Sequence, residues 1–168
     1  MKIEDKNRIP DILKVLEELE RFQVEIGIFG EDDSHLLMIA RVHEFGCRIT
    51  VTPKMRAWFA YQGYPLRADT TEIVIPERSY MRSTLDEITG ALEKLIETLI
   101  LQVVALKTTP RQMYEIIGEW VVSRIQEKIV TLRVPALHPM TIERKRSTNP
   151  LIDIGRMRQS IIWRVVAR

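Results

Sequence analysis

Residues 10–28, PDILKVLEELERFQVEIGI, change their hydrophobic period half-way, and that change sets the fold class. In the first half Ile12, Val15, Leu16 and Leu19 share one face of a helix. Pro10 suits the first turn of that helix, where a missing N–H costs nothing. In the second half Phe22, Val24, Ile26 and Ile28 alternate with Gln23, Glu25 and Gly27, which predicts a strand with one buried face. Gly30 and the polar run Glu31-Asp32-Asp33-Ser34 end it. Helix and half-buried strand in direct succession predict α+β.

The same punctuation recurs downstream. Ser34 predicts the N-cap of a helix over 35–45 with Leu36, Ile39, Ala40 and His43 on one stripe, closed by a left-handed Gly46. Cys47, Ile49 and Val51 then alternate with Arg48 and Thr50 as a second strand. Thr52-Pro53 reads as a cap and first-turn proline before a short helix that reaches Tyr61 and stops by Gly63. Residues 71–75 form a third strand, ended by Pro76.

Two long helices follow. Over 79–107 the stripe is Leu85, Ile88, Leu92, Leu95, Ile96, Leu99 and Val103. Thr109-Pro110 opens the second, which runs to residue 132 with Met113, Ile116, Ile117, Trp120, Val121, Ile125 and Ile129 as its stripe. Joined by a short turn, they are expected to pack as an antiparallel hairpin. Residues 135–150 hold three prolines, the cluster Arg144-Lys145-Arg146 and the run Ser147-Thr148-Asn149, which together predict an extended, exposed arm. A turn of helix over 156–160 leads into a closing strand with Ile161, Trp163 and Val165 on one face. The expectation is one domain over 1–168: a small, mostly antiparallel sheet of three to four strands against a long helical hairpin, with the arm before the C-terminal strand.

At 168 residues and 45% hydrophobic, the chain is long and apolar enough for a real core, which excludes a wholly disordered protein. The longest apolar run, 99–106, is broken by Gln102 and too short to span a bilayer. The first six residues carry acidic side chains and no apolar region, so no secretory signal is expected. The single cysteine, Cys47, excludes a disulfide framework and a multi-cysteine zinc site, as expected of a soluble protein made in a reducing compartment. Charge is unevenly placed. Residues 1–35 carry 5 basic and 10 acidic side chains, whereas residues 129–168 carry 8 basic and 2 acidic ones. Either both ends are simply solvated, or an acidic face of one copy meets a basic face of the next.

Catalytic patterns are missing. His35, His43 and His138 form no i, i+4 pair, and the HExxH spacing from His43-Glu44 would place a histidine where Cys47 stands. His43 reads instead as a packed residue at a helix end, where the dipole favours its cationic form. Cys47 reads as a small buried hydrophobe. No G-x-S-x-G elbow surrounds Ser34, Ser79 or Ser160, and the glycines make no phosphate loop. Glu17-Glu18 and Asp32-Asp33 lie in charge-rich, solvated segments. An enzyme is not expected, nor is a cofactor or metal. The basic cluster with Arg156, Arg158, Arg164 and Arg168 suits phosphates, but the only nearby aromatic, Trp163, fits a buried strand face rather than a base-stacking platform.

Three segments in order carry a family resemblance: Ile39-Ala40-Arg41-Val42-His43-Glu44-Phe45-Gly46, then Ile75-Pro76-Glu77-Arg78-Ser79-Tyr80-Met81-Arg82, then Thr141-Ile142-Glu143-Arg144-Lys145 followed by residues 149–161. This succession resembles the neck and tail-completion proteins of tailed bacteriophages. These include the tail-component family of lambdoid siphophages and the related virion-morphogenesis proteins of Mu-like phages. Each motif is short; their order and spacing carry the likeness, which runs from about position 36 to the end. Two positions depart from it: Ile154 stands where many relatives have Thr, and Met157 where they have Leu, leaving Asp153 as the side-chain cap.

The resemblance implies a structural virion protein without catalytic residues. It would be made in the host cytoplasm and form a ring at the head–tail neck that takes part in tail completion and head–tail joining. Its implied partners are further copies of itself in sixfold or twelvefold symmetry, head-completion or adaptor proteins, and tail terminator or tail tube proteins. Genomic DNA would pass through the lumen without sequence recognition, and no membrane is involved. A tail terminator or head-closure protein is the nearest alternative, and a DNA-contacting regulatory or packaging factor the next. Candidate contacts between subunits are Arg78 and Arg82 on one side of a helix start, Arg144, Lys145 and Arg146 on the arm, and Arg156 and Arg158. His43, Glu44, Phe45, Gly46, Pro76, Asp153 and Gly155 are the expected structural motif.

Overall fold

The computed structural model describes residues 7–29, 33–152 and 155–168. Among them the chain is α+β, in the order α1 (Ile9–Arg21), β1 (Phe22–Gly27), α2 (Ser34–Phe45), β2 (Cys47–Thr50), α3 (Pro53–Tyr61), β3 (Glu72–Ile75), α4 (Arg82–Val104), α5 (Pro110–Thr131), α6 (Pro139–Lys145), α7 (Arg156–Gln159) and β4 (Ile162–Ala167).

Local chemistry explains most boundaries. The Thr52 hydroxyl accepts from the Met55 amide at the start of α3. At α5, Thr109 and Gln112 satisfy each other's backbone amides in a capping box, with Pro110 in the first turn. Helix α2 is capped by Asp33, whose carboxylate accepts from the Leu36 amide at 2.9 Å, and not by Ser34 as expected. The two residues are equally good caps by type, and the helix begins one residue earlier than its apolar stripe implies.

The expected single sheet is instead two separate antiparallel ribbons, β1 with β4 and β2 with β3. Strand β4 pairs with β1 from Phe22 opposite Ala167 to Gly27 opposite Ile162; β2 pairs with β3 from Cys47 opposite Ile75 to Thr50 opposite Glu72. Alternation tells which face of a strand is buried, but not which strand lies beside it. Helix α5 lies across the β1–β4 ribbon, and α4, joined to α5 by residues 105–109, packs on α5. The core runs along α5: Met113, Ile117, Val121, Val122, Ile125 and Ile129 are buried with Leu99 and Val103 of α4, Tyr80 and Ile161. Leu85 and Ile116, expected on the core stripes, are exposed.

Residues 135–150 are not an extended arm. His138 accepts the Met140 amide on its Nδ1, Pro139 occupies the first turn of α6, and Arg146 ends that helix in a left-handed conformation (φ 54°). Proline is favoured in the first turn of a helix, so a proline-rich segment is not thereby extended. Asn149 then fastens the segment to the end of α5. Its amide donates to the carbonyls of Ile129 and Val130, and its carbonyl accepts the amides of Leu151 and Ile152. Those α5 carbonyls belong to the last turn, where intrahelical donors run out.

Gly118 is where α5 meets β4 most closely. A Cβ there would lie 2.7 Å from Cγ of Trp163, whose indole N–H donates to Glu119 at 2.9 Å. Gly118→Ala is therefore expected to destabilise by about 1–3 kcal/mol through overpacking, despite alanine's better helix propensity. Gly90→Ala, with open space around it in α4, is expected to stabilise by roughly 0.5–1 kcal/mol. Urea unfolding of both variants checks the contrast.

Candidate functional site

The last turn of α2 delivers Glu44 into the body, and Gly46 turns the chain sharply into β2. Gly46 has φ 68°, and a Cβ there would come within 2.9 Å of the Ile75 carbonyl and the Glu77 amide. Only glycine meets both demands. β2 pairs with β3, Pro76 ends β3, and the chain returns to α2 where the Arg78 amide donates to the His43 carbonyl at 2.8 Å. Residues 79–82 then lie against the Glu44 side chain.

Glu44 is 4% exposed, and its carboxylate accepts five hydrogen bonds. Oε2 takes the amides of Tyr80 and Met81, both at 2.9 Å. Oε1 takes the Ser79 hydroxyl at 2.9 Å, the Arg82 amide at 3.0 Å and Arg82 Nε at 3.1 Å. Helix α4 has no side-chain cap of its own at Met81. Glu44 caps it from another helix, placing a negative charge at the positive end of the dipole. Burial alone raises the carboxyl pKa, but the amides of Met81 and Arg82, the Ser79 hydroxyl and the Arg82 guanidinium outweigh it and hold it below the ordinary value. Arg82 also donates to the Glu44 carbonyl and to Glu77, and its guanidinium sits over the Phe45 ring at 4.6 Å.

Arg78 makes the second tie. It is 4% exposed, and it donates from Nε to the Pro135 carbonyl (2.9 Å) and from Nη2 to the Ala136 carbonyl (3.2 Å). His43 lies between Arg78 and Lys145 with its Nδ1 buried and without a hydrogen-bond partner. Desolvation first, then the charges of Arg78 and Lys145, lower its pKa to about 4, so the ring is neutral at pH 7. The cationic form expected from the helix dipole is overridden by burial and by two nearby cations. Beyond His43, a groove of about 750 Å³ opens between β3, Phe59 and Tyr64 on one side and residues 136–141 on the other.

The first two motifs of the sequence thus form one joint: Glu44 and Gly46 supply one half, and Pro76, Arg78 and Arg82 the other. The cationic candidates divide. Arg78 is an internal tie, because it is itself buried and holds the carbonyls of Pro135 and Ala136. Lys145 donates to the carbonyls of Asn149 and Pro150. Arg156 pairs with Asp33. Arg144 lies over the Trp58 ring at 5.1 Å, and Arg146 and Arg158 are exposed. Gly155 takes φ 82° just before α7. Asp153 lies outside the described residues. Cys47 is half-buried rather than buried.

The anchoring roles of Ser79 and Asn149 went unread in the sequence. The available signals were a serine just ahead of an uncapped helix start and a polar residue before Pro150. Among the described residues no cluster of three His, Cys, Asp or Glu side chains is suited to a metal, and no helix is long and apolar enough to cross a membrane. Compared with known proteins, the chain matches no family model, no curated protein and no solved structure.

His43 gives the joint a pH dependence. Its pKa falls from 6.5 to about 4 on folding, so between those values the unfolded chain binds more protons. Stability is full above about pH 6.5 and drains away as pH falls towards 4. The expected loss from this group is about 2 kcal/mol between about pH 7 and about pH 5. Urea unfolding at the two pH values checks it, and His43→Gln is expected to flatten that part of the profile.

Proposed function

We propose that this chain is a structural virion protein that assembles as a homo-oligomeric ring at the head–tail neck of a tailed bacteriophage. There it acts in tail completion and head–tail joining, with no enzymatic role. The observation that carries the reading is the ordered set of three motifs, the first two of which meet in the Glu44 joint. By sequence these motifs resemble neck and tail-completion proteins, and in this chain the first two build a fixed connection between a ribbon and a long helix.

Two surface features support self-association. Val74 and Ile49 of the β2–β3 ribbon are 55% and 38% exposed, and Tyr61 and Trp58 of α3 are 87% and 40% exposed. A two-stranded ribbon is marginal alone and gains from further packing. The acidic residues 1–35 and basic residues 129–168 also suit head-to-tail contact between copies. We read α4 and α5 as an antiparallel hairpin that forms the spine of each subunit. The ring, sixfold or twelvefold, would meet head-completion or adaptor proteins on one side and tail terminator or tube proteins on the other. DNA would cross its lumen unread.

Sedimentation across a wide concentration range is expected to give one large species, and antibody labelling is expected to place the chain at the neck of particles. A chain that stays single and is absent from finished particles contradicts the reading. A chain that instead retards duplex DNA with a steep salt dependence favours a DNA-contacting factor.

A further inference from the structure

Helix α1 keeps more apolar surface than its own body covers. Val15 and Leu19 pack on the core, but Ile9, Leu13 and Leu16 remain outside, with Leu13 56% exposed. These three stand at i, i+4 and i+7, the anchor spacing by which an amphipathic helix lies in a groove. The row spans roughly 10 Å of helix. Asp11, Glu17, Glu18 and Glu20 outnumber Lys14 and Arg21, so the helix is net negative.

The groove beyond His43 has the opposite character. Phe59, Ile73, Val74, Leu137 and Met140 give it apolar walls, and its volume of about 750 Å³ suits several inserted side chains. Helix α6, whose Met140 and Thr141 line one wall, carries Arg144 and Lys145 in its last turn and Arg146 at its end, so that side is net basic despite Glu143, which accepts from Tyr64. No groove wall comes from α1 or from α4, α5 and β1, the elements on which α1 packs. The α1 of the same copy is thus engaged elsewhere, whereas the outer face of α1 has the acidic, apolar character that matches this groove.

Resting on the reading as a self-assembling subunit, we propose that the outer face of α1 from one copy docks into the groove between β3 and residues 136–141 of the next. Ile9, Leu13 and Leu16 enter the apolar trough, and the acidic side chains of α1 face the basic end of α6 at Arg144 and Arg146. The contact is heterologous, with helix and groove on different parts of each copy, so its repetition closes a ring when the rotation allows.

The test uses two exposed positions: Leu13→Asp spoils the helix and Val74→Asp spoils the groove. Each variant, with circular dichroism and unfolding midpoint matching the parent, is expected to sediment as a monomer. Mixing the two is expected to restore a one-to-one dimer, because each retains one intact half of the contact. Leu13→Ser and Val74→Ser give the same readout if either aspartate variant fails to fold. If the parent assembles and either variant assembles equally well, the docking is wrong while the ring stands. Two monomeric variants that form no dimer on mixing also overturn the docking. A parent that never assembles removes the ring reading and the docking with it.

Discussion

A single buried carboxylate, Glu44, organises this protein. It lies in the last turn of α2 and caps α4, so two helices separated in the chain by the β2–β3 ribbon take their relative positions from one side chain. The constraint is strong because it is over-determined. A carboxylate at 4% exposure is tolerable only when its oxygens are filled, and each of its five donors is fixed by a different piece of backbone or side chain. Gly46 makes the geometry reachable, because a Cβ there would come within 2.9 Å of the returning backbone.

The neighbouring ties extend the same logic outward. Arg78 carries the connection from residues 77–82 to the carbonyls of Pro135 and Ala136. Asn149 carries it back to the end of α5. Each joins a backbone group that lacks a regular partner to a side chain that reaches it, and together they fold residues 135–150 onto the body. His43 sits among them as a neutral ring between two cations, which makes the region sensitive to acid.

What the sequence disclosed, it disclosed through local chemistry. Thr52-Pro53 and Thr109-Pro110 each mark a helix start by a hydroxyl and a proline within two residues, and the Phe22 to Ile28 alternation marks β1. The parts that stayed hidden depend on distant partners. Nothing near Glu44 announces that its oxygens meet residues some 35 positions later, and the apolar alternation of Cys47 and Ile49 does not say that β2 pairs with β3 alone. Arg78 shows the limit most clearly: by spacing it lies with Arg82 on one helix start, yet burial turns it inward while Arg82 remains half exposed. A list of cations cannot separate a surface charge from an internal tie; the carbonyls around it do.

The most direct measurement of the central claim is the stability of Glu44→Gln. A glutamine oxygen cannot hold five donors, and the α4 dipole loses its charge partner, so the loss is expected to be roughly 3–5 kcal/mol, with Ser79 and Tyr80 freed from the end of α2. An unfolding free energy within about 1 kcal/mol of the parent's would contradict the account, because α4 would then be held in place without the carboxylate.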